Sequence, residues 1–184
     1  MLPDGAARLE ELLGDFLAQG EESISDPADL ARRMARLTHL IRDVIVQAFA
    51  ANSASALLRG WRKGFARVLI ADLDQPEKTP EFADMVAQTL AYGLFSARIM
   101  DPTCADFSRP EAQRLIPKSN PFLRDFFYQI TGPALDDEPF ACFVDELVAL
   151  LRRTDMPLLL EGFGKRTRRE DPIIHFYTPW PTSS

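Results

Sequence analysis

Residues 82–97 read FADMVAQTLAYGLFSA, and this run carries the clearest helical signal of the chain. Its apolar positions recur every three or four residues, which is the spacing of one face of an α-helix. Thr79-Pro80 precedes it, and proline is favoured at the first position of a helix. At about 1.5 Å per residue the predicted helix is roughly 30 Å long. Gly93 lies on the predicted buried face, where a missing side chain lets a second helix approach closely.

The same period extends over most of the chain. Further helices are predicted to begin near Leu9, after Asp26-Pro27, near Leu57, after Ser108, after Asn120, near Phe140 and near Met156. Strand signals are limited to the short apolar runs 68–70 and 173–174, and each of these runs fits a helix as well as a strand. The sequence therefore predicts an all-α fold, an irregular multi-helix bundle of about six to eight helices. We expect a single helical domain over residues 1–177 and a loose C-terminal tail over 178–184.

Composition bounds the class of protein. The chain has 184 residues, of which 46% are hydrophobic and 26% charged, and this suits one soluble domain. The N-terminus shows no signal peptide, and the longest uncharged run, residues 44–58, is too short to cross a bilayer. Cys104 and Cys142 show no CxxC spacing and cannot form a disulfide framework or a zinc knuckle. We therefore expect a cytoplasmic protein that does not enter the membrane.

The residues able to do chemistry form no complete catalytic site. His39 and His175 are the two histidines, and neither belongs to a pair with metal-ligand spacing. The one GxG, Gly162-Phe163-Gly164, lacks the other residues of a phosphate-binding loop. The acidic run Asp136-Asp137-Glu138 is typical of a solvated turn. We therefore predict no catalytic residue, no metal site and no cofactor in this chain alone.

Charge is segregated along the chain, although the net charge is only −6. Residues 1–30 hold eight acidic residues and one basic residue, whereas residues 31–70 hold eight basic residues and one acidic residue. One interpretation is a phosphate-facing patch in which Trp61 is available for stacking. In the other interpretation the acidic first helix packs against the basic second helix, and each neutralises the other.

Two basic runs supply the candidates for DNA contact. The first contributes Arg59, Arg62, Lys63 and Arg67, and the second contributes Lys165, Arg166, Arg168 and Arg169. Lysine and arginine are the residues that neutralise backbone phosphates. The second run is the stronger candidate, because it adds four charges within five residues in a glycine-flanked segment that we expect to be exposed.

Several blocks of the sequence resemble a known family. Residues 81–85, EFADM, and 88–98, QTLAYGLFSAR, resemble a signature of large single-chain restriction-modification enzymes that contain an adenine-specific DNA methylase domain. Residues 115–123, LIPKSNPFL, and 168–177, RREDPIIHFY, agree with that family in order and spacing. The resemblance covers roughly residues 5–177 and depends mainly on the central blocks. The first part of the chain agrees mainly in helical pattern.

In that family the matching region is a helical stretch between a nuclease-like domain and the methylase core. The core binds S-adenosylmethionine through a glycine-containing loop and holds a flipped adenine with a [DNS]-P-P-[YFW] motif. This chain has neither part, since Asn120-Pro121-Phe122 is one proline short, and it departs from the family pattern after Tyr177. The resemblance therefore implies a non-catalytic connector, truncated before the core, in a family of site-specific adenine DNA methyltransferases.

The resemblance also implies partners. It implies that the chain supports a methylase core or another subunit and contacts the DNA backbone, with Lys118, Ser119 and Asn120 in the most recognisable loop. Exposed apolar surface where that core would dock could drive self-association. The alternative is a free-standing helical module that binds a protein and never touches DNA. Salt separates the two, because only phosphate contacts weaken steeply with ionic strength.

Overall fold

The computed structural model describes residues 23–115 and 121–166, without the side chains of residues 121–123 and 162–166. Seven α-helices lie in these ranges: α1 Pro27–Ala50, α2 Ala56–Val68, α3 Thr79–Met100, α4 Arg109–Leu115, α5 Pro121–Thr131, α6 Ala141–Arg152 and α7 Met156–Arg166. Two short 3-10 turns, Pro76–Lys78 and Pro133–Leu135, precede α3 and α6. Extended pairing in the same ranges is limited to one bridge between Ile24 and Thr154. The predicted all-α fold is confirmed.

Local signals account for the helix boundaries. The side chain of Asp26 accepts a hydrogen bond from the Ala28 N–H at 3.3 Å and caps α1. Asn52 adopts a positive φ of 55° between the first two helices, a conformation that asparagine tolerates better than most residues. Ser55 then caps α2 by accepting from the Leu58 N–H at 3.0 Å. The breaks predicted at Asp26-Pro27 and at Asn52 are therefore confirmed.

One core joins the described helices. α1 and α3 make the most extensive contact between helices, and α6 packs against both. Phenylalanine rings fill the space between this layer and α5: the Phe65 ring lies 6.1 Å from that of Phe82 and 5.4 Å from that of Phe126, both edge to face. Edge-to-face pairs of this kind add to the stabilisation from burial. The packing places α2 beside α5, and a surface groove lies between these two helices.

A buried arginine ties three helices together. Arg98 on α3 is 4% exposed, and its guanidinium donates to the carbonyl of Leu151 at 3.1 Å and to that of Thr154 at 3.5 Å. A third bond goes to the carbonyl of Asp101. These carbonyls belong to the ends of α6 and α3 and to the turn before α7, where helices leave acceptors unpaired. Burial lowers the pKa of Arg98, but arginine keeps its proton in proteins.

Several predictions fall outside the described residues. They concern the helix near Leu9, the loop of Lys118, Ser119 and Asn120, the basic residues Arg168 and Arg169, and the blocks after residue 166. The packing of an acidic first helix against α1 and the domain boundary at residue 177 therefore stay predictions. Among the helices that are described, none is both long and apolar enough to cross a membrane.

Candidate nucleic-acid interface

A stripe of α2 forms one wall of a surface groove. Gly60, Lys63, Gly64 and Arg67 follow each other at spacings of three, one and three residues, which places them on one helical face. The groove has a volume of about 360 Å³, and α5 forms its opposite wall. Lys63 and Arg67 are exposed, and neither enters an ion pair within the described part of the chain. The groove therefore has one cationic wall.

Glycines keep this wall open. A Cβ built on Gly60 meets no atom within 4 Å, so the space beside this residue is accessible from outside. Glycine inside a helix costs about 1 kcal/mol relative to alanine. Gly60 precedes Lys63 and Gly64 lies between Lys63 and Arg67, so the cations on this face alternate with positions that have no side chain.

The opposite wall is polar and held in place by hydrogen bonds. The Trp61 indole N–H donates to Oε1 of Gln129 at 2.7 Å, and Nε2 of Gln129 donates to Oδ2 of Asp125 at 3.0 Å. This chain of bonds fixes which way the Gln129 amide faces. Gln129 retains one N–H, and Asp125 retains the lone pairs of its other oxygen.

Trp61 does not have the role expected from the sequence. Its side chain is 4% exposed, and its ring centroid lies 4.9 Å from that of Phe126 and 6.3 Å from that of Phe140. The expectation that Trp61 is available for stacking on a base is wrong, because its ring is in the core. Instead it anchors the polar wall through its N–H.

Arg62 also differs from its basic neighbours. It is 8% exposed; its Nε donates to the Leu73 carbonyl at 2.7 Å, and its Nη2 donates to the Gln75 carbonyl. The guanidinium lies 4.8 Å from the centroid of the Phe49 ring, within cation–π range. Burial lowers the pKa of Arg62, although nearby carboxylates oppose this shift. We therefore remove Arg62 from the candidates for phosphate contact: it holds the loop after α2 against the core.

Three of the predicted cations are brought together. Arg59, Lys63 and Arg67 are all exposed and four residues apart, so they form one row along α2. Arg59 donates to the carbonyl of Ala54 and lies beyond the groove. Lys165 and Arg166 fall within the last turn of α7, and their side chains are not described. The second basic run is therefore not joined to the first by any described contact.

The acidic run at 136–138 is only partly solvated. Asp136 and Asp137 are exposed, as expected, but Glu138 is 6% exposed and its Oε2 has no hydrogen-bond partner among the described residues. Arg109 binds Asp136 at 2.6 Å and Asp145 at 2.9 Å. The expectation of a solvated turn is wrong for Glu138, because its side chain is buried.

Sequence analysis missed the two polar residues of the α5 wall. Gln129 stands 68 positions after Trp61, so only the packing of α2 against α5 brings the two together. The one local signal is that Asp125 and Gln129 are four residues apart and share a helix face. Across the described ranges, no three metal-binding side chains gather at one place. The groove thus combines two cations on one wall with a carboxylate and an amide on the other.

Comparison of the chain with protein-family models, with curated proteins and with solved structures finds no match. The resemblance to adenine-specific methylases therefore stays a prediction from the sequence.

Proposed function

We propose that this chain is a non-catalytic helical portion of an adenine-specific DNA methyltransferase or restriction-modification enzyme. It works in the cytoplasm, supports the methylase core and contacts the DNA backbone through α2. The observation that carries the DNA contact is the exposed row of Arg59, Lys63 and Arg67. The assignment to a methylase is supported by the resemblance of residues 81–98 and 115–123.

The spacing of the row suits a nucleic-acid strand. Four helical residues rise by about 6 Å, so successive cations are about 6 Å apart along the helix axis. Successive phosphates of one nucleic-acid strand are separated by a comparable distance, so the row can meet several phosphates of one strand. Each contact releases counterions, and the slope of log K against log salt changes by about −0.9 per phosphate. Three contacts are therefore expected to give a slope near about −2.7.

Fluorescence anisotropy with a labelled duplex tests this proposal. The chain is titrated between about 50 and about 200 mM salt, the range over which phosphate contacts weaken strongly. Replacing Lys63 and Arg67 together by alanine is expected to reduce the slope by about 2. The matched control replaces Arg36 and Arg152, exposed residues of α1 and α6 outside the groove. Absence of duplex binding at the lowest salt, or an equal loss in the control, rejects the DNA contact.

A second candidate function is a protein-interaction module that does not bind DNA. It is favoured by three consecutive apolar residues at the end of α2, Val68, Leu69 and Ile70, which are 47%, 55% and 41% exposed. Contiguous exposed apolar surface marks sites of protein contact. Binding through this run is expected to be nearly independent of salt, so the same titration separates the two functions.

A further inference from the structure

We infer that a second groove, the Arg62 groove, binds a small monocarboxylic acid with an apolar body. The carboxylate accepts a hydrogen bond from Nη1 of Arg62, and the apolar part lies against the end of α1 and the start of α3. The inference does not depend on the proposed DNA contact, because the Arg62 groove shares no lining residue with the groove between α2 and α5.

The Arg62 groove lies where the end of α1 meets the start of α3. Its volume is about 430 Å³, within the range of small-molecule sites, about 300 to 1,000 Å³. The residues that line it with Arg62 are Val46, Phe49 and Ala50 of α1, Pro76 of the 3-10 turn, and Thr79 and Pro80 of α3. Apart from Arg62 and Thr79, these side chains are apolar. The groove therefore suits an apolar group beside one positive charge.

Arg62 carries a buried positive charge that has no carboxylate paired with it. The residue is 8% exposed, and no carboxylate of the described residues lies within ion-pair distance of its guanidinium. Buried charges in proteins are usually paired with an opposite charge. Here the guanidinium lies 4.8 Å from the centroid of the Phe49 ring and 5.8 Å from that of Phe82. An anion bound in the groove would supply the missing opposite charge.

One nitrogen of Arg62 is left to bind a ligand. Nε donates to the Leu73 carbonyl at 2.7 Å and Nη2 donates to that of Gln75, whereas Nη1 has no hydrogen-bond partner in the described part of the chain. Nη1 is not one of the fully buried polar atoms that lack a partner, so it is accessible from the groove that Arg62 lines. The Thr79 hydroxyl already donates to the Pro76 carbonyl at 2.7 Å. Nη1 is therefore the donor that a ligand meets.

The charges around Arg62 favour a ligand with a single negative charge. Burial lowers the pKa of Arg62, and the charges of Asp74 and Glu77, two exposed residues beyond ion-pair distance, oppose this shift. These two carboxylates repel a dianion more strongly than a monoanion. A carboxylate accepts a charge-assisted hydrogen bond from a guanidinium, which an uncharged amide does not. The groove therefore discriminates against both phosphate and a neutral ligand of the same shape.

Nuclear magnetic resonance of the full ¹⁵N-labelled chain tests the inference. The probes are phenylacetate, phenylacetamide, acetate and inorganic phosphate. The signals to follow are the Nε–H of Arg62, which its bond to Leu73 protects from exchange, and the backbone amides of Ala50 and Thr79. Phenylacetate is expected to shift all three signals and to bind roughly tenfold more tightly than phenylacetamide, as a hydrogen bond to a charged group allows. Acetate and phosphate are expected to bind at least roughly tenfold more weakly than phenylacetate, because they bury no ring.

Variants at two helix starts locate the site without removing Arg62, which also holds the loop after α2. Pro80 is the second residue of α3 and lines the Arg62 groove. Pro80→Glu adds a negative charge that suits a helix N-terminus but repels an anion, so phenylacetate is expected to bind roughly fivefold more weakly. Pro27→Glu makes the same change at the first residue of α1, outside the groove, and is expected to leave binding unchanged. Circular dichroism checks that both variants are folded.

The possible results each decide one part of the inference. Equal affinity for phenylacetate and phenylacetamide overturns the role of the Arg62 charge, and equal affinity for acetate and phenylacetate overturns the role of the apolar lining. If the signals of Arg62 and Thr79 do not shift, or if Pro80→Glu and Pro27→Glu weaken binding equally, the Arg62 groove is not the site. Selective binding of phenylacetate that only Pro80→Glu weakens supports it.

Discussion

Gly93 on α3 and Phe127 on α5 are in contact at a distance that no other residue at position 93 permits. A Cβ built on Gly93 lies 1.7 Å from Cζ of Phe127, so the aromatic ring occupies the space where a side chain would be. Phe127 is 3% exposed and lies edge to face with Phe126 at 5.7 Å. The close contact predicted at Gly93 is made by the ring of Phe127 and not by the backbone of a second helix, since α3 and α5 are not among the helix pairs in extensive contact.

Replacing Gly93 by alanine is expected to destabilise the fold. The added methyl group overlaps a buried ring, and overpacking of this kind costs about 1 to 3 kcal/mol. Alanine also recovers about 1 kcal/mol of helix propensity, so the net loss is expected to be up to about 2 kcal/mol. Urea denaturation followed by circular dichroism measures the change in the free energy of unfolding.

Gly60→Ala is the control for this substitution. Gly60 is also helical, but a Cβ there meets no atom within 4 Å, so only the gain in propensity remains. The free energy of unfolding is expected to rise by up to about 1 kcal/mol. If both alanine variants changed stability in the same direction, the close contact at Gly93 would not be the cause of its effect.

Arg62→Ala is expected to destabilise the protein without changing the salt dependence of DNA binding. The substitution leaves the carbonyl of Leu73 without its side-chain donor and removes the contact over Phe49, at a cost of about 1 to 3 kcal/mol. The Gln75 carbonyl loses one donor but keeps the Lys78 N–H. Lys63→Ala, one residue away and exposed, is expected to stay within about 0.5 kcal/mol of the unmodified chain. In DNA titrations the effect should be reversed, so that Lys63→Ala reduces the salt slope and Arg62→Ala leaves it unchanged. A reduced salt slope in Arg62→Ala alone would contradict the structural role of Arg62.

Residues of α2 illustrate what the sequence can and cannot predict. The helix itself and its buried face follow from local spacing, and position 62 stands four residues after Leu58 and three before Phe65, both fully buried. That spacing already places Arg62 near the core, although its charge suggests the surface. The groove could not be predicted, because Asp125 reaches it only through the packing of α2 on α5. The position of α5 relative to α2 depends on how the Phe65 and Phe126 rings pack together. This packing cannot be predicted from the spacing of apolar residues within one helix.

The apolar run at the end of α2 is expected to cause self-association. Val68, Leu69 and Ile70 are exposed next to one another, and such surface tends to be covered by another protein surface. Sedimentation velocity over a range of concentrations is expected to show dimers that Leu69→Ser weakens. Met100→Ser is the control, since Met100 is 62% exposed at the end of another helix. A chain that stays monomeric at every concentration would remove this surface as a self-association site.

Gln129→Ala is expected to weaken both the fold and the groove. It leaves the buried N–H of Trp61 without the acceptor that now lies at 2.7 Å, and an unsatisfied buried donor costs about 1 to 3 kcal/mol. The side chain of Asp125 loses its hydrogen bond at the same time, so the polar wall of the groove is no longer held in place. Gln47→Ala removes an exposed glutamine from α1 and is expected to leave both properties unchanged. Chemical denaturation measures the loss of stability, and the salt titration with labelled duplex measures whether the groove takes part in DNA contact. Loss of stability without a change in duplex binding would show that Trp61 needs Gln129, but that the contact with DNA does not.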